Sequence, residues 1–150
     1  MIKQVGENME RRYGVIFTVL GFIVLFFSME GWGADWKYFR TDEKNNEWFY
    51  DAESILREQD IIIVRTKEIL SDKGRAIFIK DYPTITKIKN ISYILGRWEI
   101  NCSKRISRPL SSFWYSSEGY DVFSVYYLHS QFSGVVPDIV MDMLVEIICK

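Results

Sequence analysis

The stretch NISYILGRWEINC, residues 90–102, alternates apolar and polar side chains along its second half. Trp98, Ile100 and Cys102 are separated by single polar or charged residues. Because side chains in a β-strand point alternately to opposite faces, this pattern predicts a strand with a tryptophan, an isoleucine and a cysteine on its buried face. The fold therefore depends on what packs against that face.

Residues 135–150, VVPDIVMDMLVEIICK, predict a helix from Asp138 to Lys150. Proline suits the first positions of a helix, so Pro137 can open it, and the Asp138 carboxylate can cap the free amides. Polar residues recur at every fourth position and form one solvent-facing stripe: Asp138, Asp142, Glu146 and Lys150. The rest of the circumference is apolar. We expect the helix to pack on the strand face that carries Cys102, which would bring Cys149 beside it.

The chain has two cysteines, and a structural disulfide between Cys102 and Cys149 is the favoured interpretation. An even cysteine count is typical of exported domains, where thiols are oxidised, and closing a loop of this length stabilises by about 4 kcal/mol. The alternatives are free or intermolecular thiols, a redox pair and a metal site. A redox pair would be expected as Cys-x-x-Cys, and one histidine with no ligand cluster disfavours a metal.

The N-terminal segment has the three parts of a secretory signal peptide. A positive flank precedes YGVIFTVLGFIVLFFSM, residues 13–29, and small residues follow it. We expect a signal peptide over residues 1–33, cleaved after Gly33 or Ala34. The alternative is an uncleaved anchor, but this apolar core has about 15 residues and a spanning helix needs about 20. No cysteine lies near the cleavage site, so the sequence predicts an exported protein, periplasmic, surface-located or secreted, without a lipid anchor.

Residues 34–150 are expected to form a single α+β domain, an antiparallel β-sheet of about six strands with the C-terminal α-helix packed on one face and tied by the disulfide. Asp51 is expected to turn the chain by accepting a hydrogen bond from the amide of Glu53 or Ser54. The predicted strands are 35–41, 47–51, 60–70, 90–102, 104–115 and 120–128.

Residues 71–90 give a weaker pattern than the rest of the domain. The first half fits a short helix from Lys73 to Lys80, with a loop stopped by Pro83 in the second half, and a strand around Ala76 to Ile79 fits nearly as well.

Composition and motifs exclude several function classes. The formal net charge of −1 gives no global reason to expect nucleic acid or an anionic membrane as partner. No Ser-His-Asp set, paired-carboxylate motif or Gly-rich phosphate loop is present, so we expect neither an enzyme nor a cofactor. The sole histidine, His129, could ligate haem, but an exposed loop residue is the favoured interpretation.

Two sets of residues are candidates for a contact surface. The densest basic zone comprises Lys87, Lys89, Arg97, Lys104, Arg105 and Arg108. Within it, Arg97, Lys104, Arg105 and Arg108 could form a patch for acidic glycans, proteins or phosphates, although a solvated sheet face balanced by Glu99 is the simpler interpretation. In the triplets WFY, residues 48–50, and FWY, residues 113–115, neighbouring side chains must face opposite sides, so some aromatic surface is expected to be exposed.

Four segments together resemble a known family: WFYDAESILR (48–57), EINCSKRISR (99–108), FWYSSEGYDV (113–122) and VVPDIVMDMLVEIICK (135–150). They are similar, in order, to signatures of the surface-adhesin protein E family, over Trp36 to Cys149. The resemblance implies an antiparallel sheet with a C-terminal helix, a Cys102–Cys149 disulfide and export to the envelope. It also implies an adhesin that binds matrix proteins, with haem binding associated, but only the two cysteines carry over as residues.

Three functions follow from these observations. The leading hypothesis is a non-enzymatic, adhesin-like binding module of the bacterial envelope that contacts a protein or glycan through the outward sheet face or its edge. The second is a periplasmic structural or accessory protein of an envelope assembly. The third is a carrier of haem or another small ligand.

Overall fold

The alternating stretch around Trp98 forms an interior strand of an antiparallel sheet. The computed structural model describes residues 33–137 and 139–150. Residues Ala34–Lys150 form one compact unit. The signal peptide predicted for residues 1–33, apart from Gly33, and the cap predicted at Asp138 lie outside the described residues.

The strands and helices follow one another as β1 (Trp36–Thr41), β2 (Glu47–Asp51), β3 (Leu56–Glu58), β4 (Ile61–Ile69), α1 (Asp72–Asp81), β5 (Ile91–Asn101), β6 (Ile106–Ser116), β7 (Asp121–Tyr126), β8 (Ser133–Gly134) and α2 (Val140–Ile148). Single 3-10 turns precede β3, at Ala52–Ser54, and β5, at Ile88–Asn90.

The sheet has eight strands, so the predicted number of about six is wrong. Six strands form the main path, in the order β1-β2-β4-β5-β6-β7, and these are the six that the sequence predicts. The two others are short: β3 pairs with β4, and β8 pairs with β6. All three residues of β3 are exposed, as are both residues of β8. They are held by backbone pairing and carry no apolar alternation that would reveal them.

The two faces of the sheet differ in how deeply their side chains are buried. Along β4 the side chains of Ile62, Val64, Thr66 and Glu68 are buried, while those between them are more accessible. We call the face with these four side chains the covered face and the opposite one the open face. Both helices pack on the covered face. The hydrophobic core between α2 and the sheet includes Ile62, Val64 and Ile100.

The helix α1 packs on the other end of the covered face. There its side chains Phe78 and Ile79 contact a second core that includes Ile94 and Trp114. Ile94 lies opposite Glu68 in the β4–β5 register, which places this second core on the same face as the first. The α1 helix confirms the first of the two alternatives for residues 71–90. The Ser71 hydroxyl caps it by accepting the Gly74 amide at 2.9 Å.

The C-terminal helix is shorter than predicted, since α2 spans Val140–Ile148 instead of Asp138 to Lys150. Its N-cap is Ile139, which has no side chain able to bind the free amides. Leu144, Val145 and Ile148 are buried, and three such side chains contribute on the order of 6 kcal/mol. Hydrophobic burial therefore holds this helix where its N-terminus has no side-chain cap.

The disulfide is formed as predicted, between Cys102 just after β5 and Cys149 at the C-cap of α2. The two Cα atoms are 5.6 Å apart, and the sequence separation of the two cysteines is 47. The Arg57 guanidinium also donates a hydrogen bond to the Ile148 carbonyl, one of the acceptors left free at the helix end. The covalent bond and this contact fix the end of α2 to the sheet.

Among the described residues, no helix combines the length and the apolar character that crossing a bilayer requires.

Candidate functional site

The four residues of the predicted basic patch are only partly brought together. Arg97 of β5 is exposed, and Arg108 of β6 lies opposite Glu99, two residues further along the same face of β5. Arg108 donates to the Glu99 carboxylate at 2.7 Å, and its guanidinium lies 4.7 Å from the ring of Phe132. Arg97 and Arg108 thus share the open face, but the charge of Arg108 is balanced there.

The other two patch residues lie in the turn between β5 and β6. Lys104 is exposed. Arg105 has a positive φ of 49° and forms an ion pair with Asp142 of α2. This ion pair connects the turn to the helix.

The remaining residues of the basic zone lie elsewhere. Lys87 and Lys89 line a separate cleft of about 530 Å³ together with Arg75 of α1, and the carboxylates of Glu118 and Asp121 line the same cleft. The structure therefore divides the zone into an open-face group, a turn and a mixed-charge cleft.

A pair of arginines on the open face is the first feature that the sequence did not single out. Arg65 of β4 and Arg97 of β5 are direct cross-strand partners. Like charges in this position are destabilising, by some tenths of a kcal/mol. Arg65 is balanced by an ion pair with Asp51, whose side chain is 0% exposed. Among the residues that the structure describes, no carboxylate forms an ion pair with Arg97, so its guanidinium is available to a ligand.

Aromatic side chains lie around Lys67, the next residue of β4 on the open face. Lys67, two residues from Arg65, has its ammonium 5.9 Å from the ring of Trp36 and 5.0 Å from the ring of Tyr93. Tyr93 stacks on Tyr115 at 5.2 Å between ring centroids. Burial raises the pKa of the Tyr115 hydroxyl, and the nearby Asp121 carboxylate adds to it. These contacts form a continuous aromatic surface with a cation inside it.

The expected alternation of the aromatic triplets is present. Phe49 packs on Tyr38 of β1 at 5.6 Å, and Phe113 packs on Tyr126 of β7 at 5.5 Å, both on the open face. The middle residue of the second triplet, Trp114, is buried on the covered face. Tyr38 is 56% exposed and Tyr126 is 65% exposed, so the aromatic surface extends to both edges of the sheet.

The covered face carries a second candidate site, a groove of about 260 Å³ between the two cores. It is lined by Trp48, Thr66, Glu68, Phe78, Tyr82, Ile94, Gly96, Trp98, Pro109, Ser111, Ser112, Trp114 and Tyr127. Six of these thirteen side chains are aromatic, and only Glu68 is a carboxylate.

Glu68 is 8% exposed, which is unusual for a carboxyl group that forms no ion pair with any described residue. Its Oε1 accepts a hydrogen bond from Asn46 Nδ2 at 2.7 Å. Burial raises the pKa of Glu68 to about 7, and the Asp42 carboxylate adds to the shift, while Asn46 and Lys44 oppose it. Near neutral pH the groove therefore holds a carboxyl group that can be protonated or ionised.

The floor of the groove requires a glycine. A Cβ at Gly96 would lie 2.8 Å from Thr66 Oγ1 and 2.8 Å from Trp98 Nε1. Both distances are shorter than a van der Waals contact, so a side chain at position 96 would clash with Thr66 and Trp98. Glycine thus keeps the strand open at the point where the aromatic walls meet.

The strand pattern could have indicated these residues. Once Ile62 and Val64 point inward, Glu68 must point inward as well, and Arg65 and Lys67 must point outward. A carboxylate on the inward side of a central strand is the signal that was missed.

His129, for which an exposed loop residue is the favoured interpretation and a haem ligand the alternative, is exposed in the loop after β7. Within residues 33–137 and 139–150, no group of three or more His, Cys, Asp and Glu side chains could hold a metal ion.

No protein-family model matches the chain, and no curated protein sequence matches it significantly. Solved structures do. Crystal form II of Haemophilus influenzae protein E has a TM-score of 0.52 at 16% identity, covering 75% of this chain and 86% of that one. The selenomethionine form of the same protein has a TM-score of 0.51 at 15% identity, covering 75% and 84%. The predicted resemblance is therefore confirmed as a likeness of fold, and this chain has the fold of protein E.

Proposed function

We propose that the protein is an exported, non-enzymatic binding module whose open sheet face contacts an acidic protein or glycan of the cell envelope or its surroundings. The observation that carries the proposal is the position of both helices on the covered face. No helix of residues 33–137 and 139–150 thus covers the other face of the six main strands, and antiparallel sheets that expose one face normally fill it with polar residues. Here it carries aromatic rings and arginines.

Charge favours an acidic partner for this face. Arg97 lies opposite Arg65 and beside the aromatic surface around Lys67. Arginine binds carboxylates and sulfates through two parallel hydrogen bonds, and a partner that supplied such a group between the two strands would relieve the repulsion between the guanidinium groups. Aromatic rings with polar edges are enriched at protein contacts.

Export is part of the proposal and is supported by the signal-like residues 1–33 and by the disulfide. Disulfides persist in oxidising compartments and are rare in the cytosol. The protein recovered from its cells should begin at Ala34 or the next residue, as intact mass would show. A protein recovered with its first 33 residues still attached would contradict export by cleavage.

The contact face is tested by reversing one charge. The chain as the cell produces it is immobilised and used to capture acidic glycans and proteins from native envelope at low ionic strength. Arg97→Glu should reduce the captured material at least tenfold, because a repulsive charge replaces an attractive one. The variant should remain folded, since the introduced carboxylate would face Arg65 as an opposite charge.

The matched control is Lys80→Glu, which makes the same charge change on the exposed side of α1. A third variant, Lys104→Glu, tests the turn that the sequence grouped with Arg97. If Arg97→Glu captures as much material as Lys80→Glu, the open face is not the contact surface. Capture should also fall as salt approaches 0.15 M, where exposed charges are screened beyond about 8 Å.

A further inference from the structure

The groove on the covered face has the chemistry of a site for a cation. Three tryptophans, Trp48, Trp98 and Trp114, contribute to its walls, with Tyr82 and Tyr127 beside them. Aromatic faces attract ammonium groups through their negative quadrupole, and a ligand desolvated among several rings gains the most. Tyr82 contacts Trp114 edge-on at 4.9 Å between centroids, so the walls are held in place.

The carboxyl group of Glu68 supplies the complementary charge. Asn46 binds its Oε1, and among the described residues no donor binds its Oε2. None of the described residues that line the groove is a lysine, an arginine or a histidine. A buried carboxylate with no ion pair among the described residues, in a groove with room for a cation, can hold a ligand that supplies the missing positive charge.

The groups that face Glu68 from neighbouring elements do not provide that charge. Asp42, from the turn between β1 and β2, adds negative charge, and its Oδ2 accepts a hydrogen bond from Trp48 Nε1 at 3.1 Å. Lys44 of the same turn has the weakest effect among the causes of the shift at Glu68. Burial raises the pKa of the Tyr127 hydroxyl, so this ring after β7 contributes no charge near pH 7.

The volume limits the ligand. A groove of about 260 Å³ lies just below the range of pockets that hold drug-sized molecules, about 300–1,000 Å³. It can admit a single ammonium group with a few carbon atoms, but not a macrocycle. Tyr82 is 43% exposed and Tyr127 is 38% exposed, so the opening lies at these two rings.

We propose that this groove binds a small organic ammonium group, held by the Glu68 carboxylate and enclosed by the surrounding tryptophan and tyrosine rings. The group can belong to a free ammonium compound, including a quaternary one, or to a lysine side chain, since each presents one positive charge on a short carbon chain. The site lies on the opposite side of the sheet from the contact face proposed above, and neither depends on the other.

The test measures charge preference with molecules of equal shape. Choline and its neutral carbon analogue 3,3-dimethylbutan-1-ol are titrated into the purified full protein at pH 8.5, with tryptophan fluorescence as the signal. A second pair, the methylamides of N-acetyl-lysine and N-acetyl-norleucine, represents a lysine side chain. At least one cation should bind tenfold or more tightly than its neutral partner. The cation that binds more tightly shows whether the natural ligand is a free ammonium compound or a lysine side chain.

Two further measurements keep the result independent of folding. Glu68→Gln should bind each cation and its neutral partner equally. In the wild-type protein, the carboxyl carbon resonance of Glu68 should titrate at lower pH when the preferred cation is present, and the neutral analogue should leave it unchanged. Equal binding of cation and neutral partner by the wild type, or an unmoved Glu68 titration at saturating cation, would overturn the proposal.

Discussion

Replacing Glu68 by glutamine should stabilise the protein at alkaline pH and have a much smaller effect on its stability at pH 5. Burial raises the pKa of Glu68 from its ordinary 4.5 to about 7. The folded state then holds a proton that the unfolded state has released, so stability falls as pH rises from about 4.5 to 7 and is constant above. Each tenfold step in this equilibrium costs about 1.4 kcal/mol, which makes the total about 3 kcal/mol. Glutamine avoids this cost and keeps an acceptor for Asn46.

The assay is urea unfolding of wild type and Glu68→Gln at pH 5.0 and pH 8.5, with the free energy of unfolding extrapolated to water. The variant should gain about 3 kcal/mol over wild type at pH 8.5 and less than about 1 kcal/mol at pH 5.0. Glu47→Gln, the same change at an exposed position of β2, is the control and should show no such difference. An equal gain for Glu68→Gln at both pH values would refute the argument from burial.

Two further changes test the covalent tie and the packing of α1. Replacing Cys102 and Cys149 by serine should cost about 4 kcal/mol by thermal or urea unfolding, because the open chain regains its loop entropy; an unchanged midpoint would contradict this. Gly74→Ala should destabilise by about 2 kcal/mol, since its Cβ would lie 2.0 Å from Asn46 Oδ1. Ala76→Gly, exposed on the same helix, should cost only about 1 kcal/mol. A stabilised Gly74→Ala would show that Asn46 can move away.

The six main strands could be predicted from the local alternation of apolar and polar residues. The packing of α2 could be predicted from its apolar faces and from the two cysteines. Ile100 and Cys102 had to share a face, and an apolar helix ending in a cysteine had to cover it. Strand β3 could not be predicted in the same way. Leu56, Arg57 and Glu58 are all exposed and pair only through their backbones, which leaves no pattern in the side chains.

The candidate sites depended on tertiary contacts that the sequence does not encode locally. Arg105 pairs with Asp142, 37 residues away, because the disulfide brings the turn and the helix together. Glu68 is buried beside Asn46 because the turn between β1 and β2 folds over the start of α1. The inward direction of Glu68 was predictable from the strand period, whereas its lack of a cationic partner was not.

The strict alternation along β4 and β5 separates the two proposed sites by single residues. Lys67 belongs to the contact face and Glu68 to the groove, just as Arg97 and Trp98 face opposite ways. A single substitution can therefore change the specificity of the contact face and leave that of the groove unchanged, or the reverse. A one-residue insertion in either strand would exchange inward and outward side chains beyond it and abolish both at once. Across relatives that share this architecture, we expect these two strands to vary in composition and to keep their length.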